Sequence, residues 1–98
     1  MRKIMDMVGA QNVQVCWNCN MTDLDSHGSV RQSFNLLKDR LGSVHINELW
    51  REDYPWRELF HLLLLHGYDG YTLAEIPASS DPERLMRYYR RLWHELTH

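Results

Sequence analysis

The sequence predicts an α/β protein built on parallel strands, and three observations carry that prediction. Segments with helical periodicity alternate with short strand-like ones, which is the pattern of successive βα units. The strand-like segments at 13–18, 43–47 and 70–76 are brief apolar runs bounded by Gly, Asn or Pro. Two of them carry a polar, metal-competent side chain, His45 and Glu75. Parallel α/β sheets keep their active sites at the carboxyl ends of their strands.

The elements follow in order. Residues 2–8 read as the last turns of a helix, closed by Gly9, where a left-handed residue is favoured. Strand one covers 13–18, and a polar loop at 20–28 leads into a helix. Ser29 is its expected N-cap, with Gln32 at the capping-box spacing. Val30, Phe34, Leu37 and Leu41 give that helix one apolar stripe. Strand two covers 43–47, and an aromatic and charged loop at 48–55 precedes a helix over 56–66 that Gly67 ends. Leu62, Leu63, Leu64 and Leu65 make this helix apolar on more than one side. Strand three covers 70–76. After a turn at 77–80, Asp81 caps the last helix with Pro82 at its first position. Leu85, Tyr89, Leu92 and Leu96 form its expected buried stripe.

Nothing divides residues 1–98 into separate domains, and one unit of that size is predicted. Three parallel strands leave two open edges and one uncovered face, a poor arrangement for a free-standing protein. A complete (β/α)₈ barrel takes roughly 250 residues, so three of its eight units take about 94. The chain has 98 residues. The expectation is therefore a partial barrel, met by a missing N-terminal half or by self-association.

Composition excludes several function classes. A net charge of −2 gives no electrostatic case for nucleic acid or an anionic membrane. No segment is long and apolar enough for a membrane span, and residues 1–6 lack the apolar core of a signal peptide. A cytoplasmic setting is the default. Cys16 and Cys19 form a C-x-x-C, which could mark a redox pair or half a zinc site. Residues three apart on a strand point to opposite faces, and no second such pair exists, so two ordinary thiols are expected.

Alternation also assigns the strand faces. Glu75 shares a face with Leu73 and Tyr71, His45 with Ser43, and Asn18 with Cys16 and Gln14. Val13, Val15, Trp17, Val44, Ile46, Thr72 and Ala74 are left for the helix layer. Asn18, His45 and Glu75 thus converge at one end of three neighbouring strands. Imidazole and carboxylate are good ligands for a divalent ion, and a carboxamide oxygen is a weaker one. A lone strand histidine is more often a hydrogen-bonded core residue. A carboxylate between Ala74 and Ile76 needs a cation or an arginine if buried, and Arg51 could be that arginine.

Three stretches carry a family resemblance. His45-Ile46-Asn47-Glu48 with Arg51, then Pro55-Trp56-Arg57-Glu58-Leu59, then Gly70-Tyr71-Thr72-Leu73-Ala74-Glu75-Ile76-Pro77 together resemble the sugar phosphate isomerase/epimerase family. This is the xylose isomerase-like TIM barrel superfamily, and the likeness covers nearly the whole chain as strands six to eight. It implies a metal-dependent epimerase or isomerase acting on a small carbohydrate by proton transfer next to a carbonyl. It implies a divalent ion, Mn²⁺, Mg²⁺ or Co²⁺, held in part by His45 and Glu75, with Glu75 also one of two acid/base carboxylates and Arg51 contacting substrate. Asn18 stands where the family commonly has a ligand Asp. The first Glu ligand and partner acid/base has no counterpart in this chain, so the chain alone is expected to be inactive.

Other readings remain beside this one. A non-catalytic α/β module could associate through its open sheet edges. An endonuclease IV-like repair fragment is a further alternative. Arg84, Arg87 and Arg91 share a helix face, but Glu83 and Glu95 dilute it, and a solvated outer face is the simpler reading. Asp81 and Glu83 occupy the last helix's N-terminus, which favours a free sugar or polyol over a phosphate. Trp50, Tyr54 and Trp56 could cover a sugar face or pack in the core. His61, His66, His94 and His98 lie away from the inferred site.

Overall fold

The computed structural model describes residues 14–98. The predicted helix end at 2–8, its Gly9 cap and Val13 lie outside the described residues. Within them the chain forms three βα units. Strand β1 is Val15–Asn18, helix α1 is Arg31–Leu37, strand β2 is Leu41–Ile46, helix α2 is Trp56–His66, strand β3 is Tyr71–Ala74 and helix α3 is Pro82–Thr97. Short 3₁₀ turns occupy Met21–Asp23 and Lys38–Arg40.

The sheet is parallel and its strands lie in sequence order, β1-β2-β3. Cys16 pairs with Ser43, Asn18 with His45, Ser43 with Tyr71, and His45 with Leu73. Paired residues share a face in a parallel sheet, so this register puts Asn18, His45 and Leu73 in one row. The predicted faces are those observed for β1 and β2: Val15, Trp17, Val44 and Ile46 are buried, while Cys16, Ser43 and His45 are half-buried and Asn18 is exposed.

The buried strand residues meet the helices in one core. Trp17, Val44 and Ile46 pack with Val30, Phe34, Leu59, Phe60, Leu62 and Leu63, and Tyr89, Leu92 and Leu96 of α3 close over them. Each buried Val, Leu or Phe side chain contributes about 1.5–3 kcal/mol. The opposite face has no such cover: Tyr71 is 78% exposed and Leu73 43%. Cover also thins toward β3, where Ala74, expected to face helices, is exposed. The α3 stripe of Leu85, Tyr89, Leu92 and Leu96 is half-buried, not buried.

Helix ends follow their local chemistry with one exception. Helix α2 spans the predicted 56–66, and Gly67 ends it at φ 77° with its N–H directed to the carbonyls of Leu63 and Leu64. Asp81 caps α3 through the Arg84 N–H, with Pro82 in the first turn. The exception is α1. It is shorter than predicted and ends at Leu37, so Leu41 opens β2 instead of closing the helix. The Ser29–Gln32 capping box is not used. Glu58 of α2 instead accepts from the Val30 N–H at 2.7 Å and from the Ser29 hydroxyl at 2.8 Å, while Ser29 Oγ accepts from the Arg31 N–H. A carboxylate from the neighbouring helix outcompetes a local amide because it is charged and bonds two donors together.

Two of the leucines in the α2 run take the exposed side. Leu62 and Leu63 are buried, whereas Leu64 and Leu65 face outward. No helix of the described residues is long and apolar enough to cross a membrane. Glu58→Ala is expected to lower unfolding free energy by about 2 kcal/mol, the sum of a lost cap and a lost charge-assisted bond. Urea denaturation checks this, with a lower midpoint and an unchanged slope.

Candidate functional site

The carboxyl ends of the three strands gather most of the residues singled out by the sequence. His45 reaches its position because β2 alternates: Val44 and Ile46 enter the core and fix the residue between them on the open face. Glu75 follows β3 directly, and its N–H bonds the Ile46 carbonyl at 2.7 Å, extending the ladder by one residue. His45 Nδ1 and Glu75 Oε2 meet at 2.8 Å. Asn18 lies beside His45 in register, on the same face and on the neighbouring strand. The structure therefore brings together His45 and Glu75 in contact and places Asn18 next in the row.

Arg51 stands in the loop after β2. Its Nε and Nη2 donate to the two carboxylate oxygens of Asp53 at 2.9 and 2.5 Å. That hydrogen bonding holds the Arg51 guanidinium above, and the Asp53 carboxyl below, its usual titration range. Arg51 does not neutralise Glu75, the role it could have played had that carboxylate been buried; Glu75 is exposed and needs none. Arg51 and Glu75 do line one cavity of about 350 Å³, with Asn20, Asn47 and Glu48.

The loops around this cavity are fixed by groups that sequence reasoning did not select. Asp23 accepts from Trp17 Nε1 at 3.1 Å, from the Tyr54 hydroxyl at 2.8 Å and from the Asn20 N–H at 3.0 Å. One carboxylate thus ties β1, its following loop and the loop after β2. The nearest signal was Asn20 with Asp23, the spacing of a capping box, which the structure forms. Asn47 Nδ2 donates to the Cys19 carbonyl at 2.7 Å and its oxygen accepts from the Glu48 N–H. Of the three aromatics in the 48–55 loop and its boundary, Tyr54 and Trp56 are core residues 4.4 Å apart, and Trp50 is exposed.

The cysteines separate as the strand geometry demands. Both are free, with Cys16 half-buried on the open face and Cys19 buried on the other side. Burial pushes the Cys19 thiol up to about 12. Burial likewise raises Tyr54, whose neighbours Cys19 and Asp23 add to the effect.

The donor set at the strand ends meets part of what a divalent ion requires. Two ligands at right angles and about 2.1 Å from an ion lie about 3 Å apart, so a 2.8 Å separation of imidazole nitrogen and carboxylate oxygen fits neighbouring positions on one ion. The set is incomplete: among the described residues no group of three or more His, Cys, Asp or Glu side chains is placed to hold a metal. Asn18 could add a neutral oxygen. No family model, curated protein or solved structure matches the chain.

Three outcomes are expected of this region. Asp23→Ala strands the Trp17 and Tyr54 donors and should cost about 3 kcal/mol, read by chemical denaturation. Iodoacetamide should label Cys16 well before Cys19 in the folded protein. Stability should also fall as pH rises above 9.0, because the unfolded Cys19 thiol ionises there while the folded one keeps its proton to about 12. Denaturation between pH 8 and 10, compared with Cys19→Ala, measures that contribution.

Proposed function

We propose that this chain carries the C-terminal share of a metal-dependent sugar isomerase or epimerase site, built as three βα units of a (β/α)₈ barrel. The observation that carries the reading is the His45–Glu75 contact at the carboxyl end of a parallel sheet, with Asn18 alongside. The fold supports it in two ways. Strands in sequence order with the core on one side are singly wound, as barrel strands are, whereas doubly wound sheets carry helices on both faces. The uncovered face with Tyr71 and Leu73 is the one a barrel would turn inward. Two free thiols suit a reducing, cytoplasmic setting.

In this reading His45, Glu75 and Asn18 would hold a divalent ion, Mn²⁺, Mg²⁺ or Co²⁺. When bound, such an ion polarises a carbonyl oxygen and eases removal of the neighbouring proton. Glu75 is the acid/base group of this chain: its carboxylate takes or returns a proton at the carbon beside that carbonyl. Without the ion, His45 orients the Glu75 carboxylate through the 2.8 Å contact; with it, both would be ligands. Arg51, held in orientation by Asp53, presents its remaining donors to hydroxyl or carbonyl oxygens of the sugar in the shared cavity. A two-base epimerisation needs a second carboxylate opposite Glu75, so the three units act only once barrel strands carrying it are joined to them.

The second reading is a non-catalytic module that associates through its sheet, and the exposed Tyr71 and Leu73 favour it. Manganese titration followed by nuclear magnetic resonance separates the two. Selective broadening of Asn18, His45 and Glu75 signals, lost in Glu75→Gln, is the expected result. Uniform broadening with no effect of the substitution would sink the metal site.

A further inference from the structure

The cavity at Arg51 and Glu75 has a neighbour. A second cavity of about 360 Å³ lies between the loops after β2 and β3 and the first turns of α3. Leu49, Ile76, Leu85 and Leu92 give it an apolar lining, and Trp50 and Tyr88 stand at it 68% and 66% exposed. Both cavities are bounded by Glu48 and Pro77. The two spaces are therefore adjacent: a polar one at the strand ends and an apolar one beside it.

The wall between them is organised. Trp50 Nε1 donates to Glu48 Oε2 at 2.5 Å, which holds the indole in place on the apolar side. Tyr89 belongs to the same lining, and its solvent-shielded hydroxyl has no hydrogen-bond partner among the described residues. Leaving such a group unpaired is unfavourable, and the oxygen that links an aryl or alkyl group to a sugar would satisfy it. Binding sites for small molecules combine these features: a few hundred cubic ångströms, apolar and aromatic walls, and few polar groups.

We propose that the substrate of the His45–Glu75 site carries an apolar substituent of about the size of a phenyl ring, and that this substituent lies in the cavity of Trp50, Leu85 and Tyr88. The substrate class is then an aryl or alkyl derivative of a sugar, not a bare sugar. The inference rests on the site reading for the polar end of the ligand and on the second cavity alone for the apolar end.

The test uses the chain with ¹⁵N labelling and reads the indole N–H of Trp50 against those of Trp17, Trp56 and Trp93. The probes are phenol, methyl β-D-glucopyranoside and phenyl β-D-glucopyranoside. Phenol is expected to shift Trp50 selectively, and the phenyl glucoside to bind at least about tenfold more tightly than the methyl one, the worth of burying a ring. Ala78→Trp, at an exposed position on the cavity wall, should remove that advantage while the other three indoles keep their positions. Equal affinity of the two glucosides, or no Trp50 shift with phenol, overturns the proposal. His45→Gln should weaken the phenyl glucoside and leave phenol unaffected. If it weakens neither, the polar site reading fails and with it the substrate assignment, while a phenol shift would still mark the apolar cavity as a binding site.

Discussion

A β-strand sends successive side chains to opposite faces, and in this protein one of those faces meets helices along β1 and β2. Trp17, Val44 and Ile46 are buried by that meeting. The residues that alternate with them, Cys16, Asn18, Ser43 and His45, have no choice but the other side. The placement of the site is thus a by-product of the core. His45 could not be moved to the helix face without sliding β2 by one residue, which would turn Val44 and Ile46 outward and forfeit several kcal/mol of burial.

Carboxylates do the remaining positioning, each by accepting bonds from more than one element. Asp23 joins a strand residue to two loops, and Glu58 joins α2 to the start of α1. Charged acceptors hold such junctions better than neutral ones, because each bond to them is stronger. Asn47 performs a similar task with its amide, donating to one loop and accepting from its own. The cavity at Arg51 and Glu75 therefore has a rim fixed at several points before any ligand enters.

The parts of this fold that were legible in the sequence are those decided within a few residues. Helix α2 between Pro55 and Gly67, the Asp81-Pro82 start of α3 and the alternation in β1 and β2 all rest on local geometry. So does the separation of Cys16 from Cys19. What escaped was decided at long range. Gln32 had the right spacing to complete a cap at Ser29, yet Glu58, 28 residues beyond Val30, took its place. The Val30-Phe34-Leu37-Leu41 stripe continued the helical period one step too far, because Leu41 serves equally well as the first residue of a strand. Asp23 gave little sign of its role, since two of its donors, Trp17 and Tyr54, look like plain core aromatics in sequence. At the strand ends, His45 and Glu75 were paired from their positions alone, while the Arg51–Asp53 pair depended on a turn that the loop composition did not specify.

The sequence order of the strands has a kinetic side. Each neighbouring pair is joined by a single helix-containing crossover, residues 19–40 for the first pair and 47–70 for the second. Closing a loop costs entropy that grows only with the logarithm of its length, so joining β1 to β2 and β2 to β3 carries nearly the same penalty. Topology leaves the order of assembly undecided between the two pairings, and side-chain burial breaks the tie. The first pairing brings Trp17 against Val44 and Ile46, whereas the second adds a β3 whose residues stay largely in solvent. Chain collapse is accordingly weighted toward the first crossover, and β3, which delivers Glu75, is the last strand to gain from it.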